Sequence, residues 1–83
     1  MATQVKSLSD LKQRIYDGTR DFYIQLNFGL RSSKYMDMTV DGKKFYVTNE
    51  IDGTEQELTE QQLMDRTYTN IGYALQHGAL YAY

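Results

Sequence analysis

Five carboxylates crowd the segment VTNEIDGTEQELTEQQLM (47–64), and they are Glu50, Asp52, Glu55, Glu57 and Glu60. A calcium-binding loop needs oxygen ligands at positions 1, 3 and 5, glycine at position 6 and a bidentate glutamate at position 12. Counting from Gly53 places Thr48 at position 1 and Thr59 at position 12, and counting from Gly42 places Thr48 at position 12. Neither register supplies the carboxylates, so we interpret the acids as a solvated turn and as favourable charge near a helix N-terminus. We expect no metal site.

Acid–base and nucleophilic catalysis have few candidate residues in this chain. His77 is the single histidine, and there is no cysteine to act with it. It precedes Gly78, where a helix is expected to end and a donor meets free carbonyl groups. Catalysis by carboxylates alone needs two acids placed across a cleft, and 83 residues leave little room for one. We predict that the protein is not an enzyme and that it uses no cofactor.

The sequence RSSK (31–34) combines two cations with two hydroxyl groups, a set that can hold an anion. The same residues suit a surface turn between strands, which is the interpretation that we prefer. No glycine-rich loop leads into a helix, so a nucleotide-binding P-loop is excluded.

Tyrosine is the unusual residue, with eight copies against three Phe and no Trp. Tyr23, Tyr35 and Tyr46 fall on the polar sides of three successive predicted strands, and the nearby cations are Lys44, Arg31 and Lys34. Such a surface can bind a protein, because tyrosine is a preferred interface residue, or it can stack on single-stranded bases. The third alternative is that the first helix or the C-terminal ALYAY segment covers this face, which makes the tyrosines packing residues. The six residues form the candidate binding site.

Size and composition predict one small globular domain over residues 1–83. The chain is 41% hydrophobic and 24% charged, with a mean hydropathy of −0.62, which is typical of a soluble globule and not of a disordered tail. The N-terminal sequence MATQVKSLSD lacks the apolar core of a signal peptide, and no stretch approaches the roughly 20 apolar residues of a membrane span. We expect a cytoplasmic protein without membrane contact.

The net charge of −2 conceals an asymmetry along the chain. Residues 1–48 carry eight Lys or Arg against five Asp, giving +3, whereas residues 49–83 carry only Arg66 against six acids, giving −5. This distribution indicates either a dipolar surface without a partner or a basic face used for binding.

Local patterns predict the first half of the fold. Ser7 is expected to cap a helix over residues 8–17 that Gly18 ends. The segment DFYIQLNF (21–28) alternates with a period of two and predicts a strand, GLRSS turns the chain, and KYMDMTV (34–40) predicts the next strand. Asp41-Gly42 is a strong hairpin signal for a two-residue type I′ turn.

That turn sets a register in which Val40 faces Lys43, Met38 faces Phe45 and Met36 faces Val47. Asp52-Gly53 is a second turn, and the pattern leaves open whether residues 54–58 fold back as a short fourth strand. In that strand Glu55 would lie opposite Glu50, an unfavourable pair of like charges.

The remaining segments predict two helices and an apolar end. Thr59 and Gln62 form a capping box, and Thr69 or Asn70 caps a last helix that Gly78 ends. ALYAY is expected to pack. The predicted fold is an α+β domain with a three-stranded antiparallel meander in the order α-β-β-β-α-α.

The segments LNFGLRSSK, NEIDGTEQELTEQQL and TNIGYALQHGAL resemble a group of uncharacterised small bacterial proteins carried on phages, plasmids and other mobile elements. The resemblance covers residues 8–80 and carries no activity. It implies an accessory protein that acts by binding a macromolecule. A protein partner is the leading expectation, and single-stranded nucleic-acid binding through the tyrosine and lysine face is the alternative.

Overall fold

A computed structural model describes residues 2–25, 29 and 31–83. The described elements form an α+β fold with a six-stranded sheet and three helices, in chain order β1 (Thr3–Gln4), α1 (Leu8–Tyr16), β2 (Asp21–Gln25), β3 (Arg31–Met38), β4 (Lys44–Asn49), β5 (Glu55–Thr59), α2 (Glu60–Met64), α3 (Asn70–Gln76) and β6 (Leu80–Ala82). The α+β class is as predicted, but the sheet is larger than the three-stranded meander.

The sheet has the strand order β1-β6-β2-β3-β4-β5, with every neighbouring pair antiparallel. The short fourth strand that the sequence left open is present as β5. The two strands that sequence reasoning missed are β1 and β6. The ALYAY segment packs as expected, but it does so as β6, which lies between β1 and β2 and pairs Ala82 with both Thr3 and Phe22.

Local hydrogen bonds define the first helix as the sequence predicts. The Ser7 hydroxyl accepts from the N–H of Asp10, and the Asp10 carboxylate accepts from the N–H of Lys6. Gly18 has a φ of 104°, a left-handed conformation that glycine adopts without strain. The helix ends at Tyr16, one residue before the predicted bound, with Asp17 as its C-cap and Gly18 as the predicted left-handed stop.

The chain between β2 and β3 differs from the predicted turn. Strand β2 is described to Gln25; residues 26–28 of the predicted strand and Leu30 of the predicted turn lie outside the described residues. Strand β3 begins at Arg31, so RSSK is strand and not turn. The reason is pairing, since Arg31, Ser32 and Ser33 lie opposite β2.

The hairpin of β3 and β4 has the predicted register, with Met36 opposite Val47 and Met38 opposite Phe45. The turn itself is different. The N–H of Gly42 donates to the carbonyl of Thr39, so the hydrogen-bonded turn starts one residue before the predicted type I′ turn, and Val40 lies exposed at its tip. The Asp41 carboxylate explains the shift, because it accepts from both the Thr39 hydroxyl and the N–H of Lys43.

The second hairpin joins β4 to β5. The N–H of Asn49 donates to the carbonyl of Thr54, and Thr48 lies opposite Glu55. Glu50 therefore belongs to the loop and does not face Glu55, which removes the like-charge opposition that the sequence suggested.

Helices α2 and α3 have the predicted caps and pack closely. Thr59 and Gln62 form both hydrogen bonds of a capping box, and the Thr69 hydroxyl accepts from the N–H of Gly72. A Cβ atom added at Gly72 would lie 2.7 Å from the carbonyl oxygen of Leu63. Glycine at this position lets the backbones of the two helices touch.

The core lies between one face of the sheet and the helices. Its helical members include Leu11, Ile15, Leu63, Ile71 and Leu75, and its strand members include Phe22, Ile24, Met36, Phe45, Val47, Leu58 and Leu80. By the register, these strand residues all share one face of the sheet. We call the opposite face the outer face.

Candidate functional site

Alternate residues of all six strands form the outer face. The pairs Gln4–Tyr81, Tyr23–Tyr81, Tyr23–Ser33, Asp21–Tyr35, Tyr35–Thr48, Asp37–Tyr46 and Tyr46–Glu57 connect it from one edge to the other. The core-facing side chains of the described helices all pack on the other face. Within the described part of the chain, the outer face is therefore not covered by a helix.

Tyr23 lies at the centre of an aromatic cluster on this face. Its ring stacks on Tyr81 with a centroid distance of 5.2 Å and an interplanar angle of 13°, and Tyr83 lies tilted at 4.9 Å. The guanidinium carbon of Arg31 lies 4.6 Å from the Tyr23 ring centroid, and Arg31 Nε donates to Gln25 Oε1 at 3.0 Å. A cation in this position is attracted to the ring face. These neighbours leave Tyr23 only 4% exposed.

Tyr35 and Tyr46 are open to solvent, with 42% and 45% of their surface exposed. Tyr35 lies between Asp21 and Thr48, and Tyr46 lies between Asp37 and Glu57. Each ring thus combines an apolar face with polar surroundings, which suits contact with another molecule.

The outer face carries more negative than positive charge. The strands place two cations on it, Arg31 and Lys44, against four carboxylates, which are Asp21, Asp37, Glu55 and Glu57; a third cation, Arg20, reaches this face by its ion pair with Asp37. Lys44 Nζ lies 3.3 Å from Glu57 Oε1. Arg20, the residue directly before β2, places its Nη2 atom 3.5 Å from Asp37 Oδ1. The acidic balance opposes the binding of a phosphate backbone.

The structure brings together five of the six predicted site residues. Tyr23, Tyr35, Tyr46, Arg31 and Lys44 lie on the outer face. The sixth, Lys34, lies opposite Phe22 and Asn49 on the helix side. There it lines a polar cleft of about 260 Å³ at the start of α3.

Sequence reasoning missed Tyr81 and Tyr83 as members of this surface. The signal was the Tyr-Ala-Tyr spacing at the C-terminus, which places both rings on one face of a strand. The ALYAY segment buries Tyr23 from the side but leaves Tyr35 and Tyr46 exposed. The alternative of a covered face therefore holds for Tyr23, whereas Tyr35 and Tyr46 remain accessible.

The other segments considered for chemistry have local structural roles. His77 is the C-cap of α3, its N–H donates to the Tyr73 carbonyl, and its ring packs 4.2 Å from the Tyr73 ring. In the acidic segment, the Asp52 carboxylate accepts from the N–H and hydroxyl of Thr54. Among the residues that the structure describes, no three His, Asp or Glu side chains converge as a metal site would require.

Three aspartates stabilise turns in the same way. The Thr39 hydroxyl and then the Lys43 N–H lower the pKa of Asp41 below its ordinary value of 3.8. The Thr54 N–H and then its hydroxyl lower the pKa of Asp52. The Thr67 hydroxyl and then its N–H lower the pKa of Asp65. Hydrogen bonds that favour the charged carboxylate cause all three shifts.

The fold and the site define a small α+β domain with one helix-covered and one open sheet face. No helix in the described ranges is long and apolar enough to cross a membrane. Comparison with protein-family models, with curated proteins and with solved structures gives no match, so the outer face is interpreted from its own geometry.

Proposed function

We propose that this protein is a non-enzymatic interaction module, an accessory protein of the mobile-element or phage type, and that the outer face binds a protein partner. The observation that supports this proposal is the exposure of Tyr35 and Tyr46 on a sheet face that the described helices leave open. Tyrosine and arginine are enriched among the residues that contribute most to protein interfaces, because they present large rigid surfaces with polar ends.

The aromatic cluster supports the same proposal. Arg31 and Gln25 hold each other by a hydrogen bond, and Tyr81 stacks on Tyr23. Side chains that are ordered before binding lose less conformational entropy when the partner arrives. The cluster therefore provides a preorganised surface beside the exposed Tyr35.

Charge favours a protein over a single-stranded nucleic acid. Stacking proteins combine aromatic rings with a positively charged groove, but the outer face has four carboxylates against Arg31, Lys44 and Arg20, the last of which is paired with Asp37. Lys34, which the sequence associated with this surface, is on the helix side. Lys44 is also already paired, with Glu57.

The test is affinity capture from bacterial host lysate with three forms of the protein, followed by mass spectrometry. The forms are the natural sequence, the double variant Tyr35→Ala/Tyr46→Ala, and the control Tyr16→Ala/Tyr73→Ala, which removes two exposed tyrosines from the helix layer. We expect a partner that is enriched by the natural sequence and by the control and lost with the outer-face variant. A partner lost only with the control would overturn the assignment of the face.

Titration with a fluorescent oligo-dT at low salt tests the nucleic-acid alternative. We expect no binding tighter than roughly 10⁻⁴ M, the weak end of non-specific affinities. Micromolar binding that weakens steeply with salt and disappears in Tyr46→Ala would assign the face to single-stranded nucleic acid, since one lost stack costs about 1–3 kcal/mol.

A further inference from the structure

Strand β5 forms one edge of the sheet, and half of its backbone points away from the protein. Thr54 accepts from Asn49 at 2.9 Å, and the N–H of Glu60 donates to Lys43 at 3.1 Å. Antiparallel pairs alternate between hydrogen-bonded and non-hydrogen-bonded residues. Thr54 and Glu60, at the two ends of β5, are both hydrogen-bonded to β4, so every second residue between them is bonded as well. The N–H and C=O groups of the residues in between, Glu55 and Glu57, therefore point away from β4.

The edge is long enough to accept another strand. It has five residues, Glu55–Thr59, whereas the opposite edge, β1, has two. The N–H of Thr59 is occupied, since it donates to Gln62 Oε1 in the capping box. Glu55, Gln56 and Glu57 are exposed, and in the described ranges no strand pairs with β5 other than β4. Residues 55–57 therefore present the available backbone groups.

Charge excludes a second copy of this chain as the occupant. If the β5 strands of two copies paired in antiparallel orientation, Glu55 or Glu57 of one copy would lie opposite Glu55 or Glu57 of the other. Like charges directly across a strand pair are destabilising, and edge charges are one means by which proteins prevent such pairing.

The same charge suits a cationic segment. Acids also flank the strand, with Glu50 and Asp52 in the loop before it and Glu60 directly after it. Glu57 is paired with Lys44, but among the described residues Glu55 forms no salt bridge. On the outer side, a cleft of about 400 Å³ is lined by Tyr46, Thr48, Glu55, Gln56 and Glu57. A Lys or Arg side chain there would meet carboxylates and the phenol ring of Tyr46.

We propose that the β5 edge binds an extended, Lys- or Arg-containing segment of a partner protein by strand addition. The segment bonds to the outward backbone groups of Glu55 and Glu57, and its alternate cationic side chains lie against their carboxylates. This inference rests on the proposed function in one respect, that the partner is a protein. It depends on the edge and not on Tyr35.

The first measurement uses an eight-residue peptide of alternating Lys and Val with blocked ends as the probe. Amide hydrogen exchange is followed by NMR on the isotope-labelled full chain. At saturating peptide we expect the exchange of the Glu55 and Glu57 amides to slow by at least about tenfold, because they become hydrogen-bonded. A peptide with Glu in place of Lys should not bind, and one N-methylated on the bonding edge should bind at least about tenfold more weakly.

The second measurement separates backbone pairing from charge. Glu57→Gln removes one carboxylate and keeps the N–H, so binding should weaken by a few-fold. Glu57→Pro removes the outward N–H at an edge position that tolerates proline, so binding should fall below detection while β4 and β5 stay paired. A cross-strand NOE between Phe45 and Leu58 verifies that pairing. If the Glu57→Pro variant loses this NOE, the comparison of the N-methylated peptide with the unmodified peptide shows whether binding needs backbone pairing.

Three results would overturn the proposal: equal binding of the N-methylated peptide, equal binding of the acidic peptide, or unchanged exchange at Glu55 and Glu57. Each of these results concerns the β5 edge alone. Capture with Tyr35→Ala alone, which leaves the Tyr46-lined cleft beside β5 intact, tests the outer face separately, so failure of the edge and failure of the outer face are distinguishable. Tyr35→Ala alone should leave binding of the Lys-Val peptide unchanged within about twofold, because Tyr35 is on the third strand of the outer face from the β5 edge.

Discussion

Gly72 of α3 lies directly against Leu63 of α2: a Cβ atom at Gly72 would be 2.7 Å from the Leu63 carbonyl oxygen and 2.8 Å from the Met64 carbonyl carbon. Both contacts are to backbone, so a side-chain rotation cannot relieve them. The two short helices can adopt this spacing only with glycine at the contact.

Gly72→Ala should therefore destabilise the protein, although alanine is the better helix former. We expect a loss of about 1–3 kcal/mol in the free energy of unfolding, the range for overpacking, measured by urea denaturation. Asn70→Ala is the control, since Asn70 is exposed in the same helix and should change stability by less than about 0.5 kcal/mol. A stabilised Gly72→Ala variant would show that the helices are farther apart.

The β3–β4 hairpin should have the register that both sequence and structure give. NOEs should connect Met38 with Phe45 and Met36 with Val47. Gly42 has a φ of 69°, which a β-branched residue resists, so Gly42→Val should cost about 1–3 kcal/mol. Gly42→Asn is the control and should cost less, because asparagine tolerates this conformation. NOEs between Met38 and Lys44 would instead indicate a one-residue slip.

Stability should decline in acid through three turn aspartates. The pKa values of Asp41, Asp52 and Asp65 are lower in the folded protein than the ordinary 3.8. Their contribution is therefore present above about pH 4 and is lost as the pH falls through the lowered values. Melting temperatures between about pH 7 and pH 2.5 should fall at the acid end. In Asp52→Asn that fall should be smaller; an identical acid profile would contradict this role.

Tyr23 should contribute to stability, whereas Tyr46 should not. Tyr23 is buried under Tyr81, Tyr83 and Arg31, so Tyr23→Ala should cost about 3 kcal/mol, as truncation of a buried aromatic residue does. Tyr23→Phe keeps the ring and is the control. Tyr46→Ala should cost less than about 1 kcal/mol. Comparable losses at the two positions in urea denaturation would mean that Tyr46 is also packed.

Calcium and EDTA should leave the melting temperature unchanged within error. Asp41 Oδ1 and Asp52 Oδ1 accept hydrogen bonds within their own turns, and among the described residues no three His, Asp or Glu side chains converge as a metal site would require. An increase of several degrees with calcium would show that metal binding is linked to folding at these turns.

Short-range patterns of the sequence determine much of this fold. The caps at Ser7, Thr59 and Thr69 are hydrogen bonds between residues three apart, and the hairpin register follows from alternation on both sides of a short turn. Such interactions depend on neighbours in the chain, so their sequence pattern is sufficient. The side of Lys34 was also predictable, since Lys34 begins the predicted strand KYMDMTV and has the parity of Met36 and Met38.

Long-range pairing decided the rest. Strand β6 is three residues long and lies between β1 and β2, so its place depends on contacts such as Phe22 with Ala82, which are 60 positions apart in the chain. A three-residue segment carries too little periodicity to identify a strand or its neighbours. The outer face depends on the same pairing. By joining the sheet edge-on, the C-terminal segment adds Tyr81 and Tyr83 beside Tyr23 and leaves Tyr35 and Tyr46 accessible to a partner.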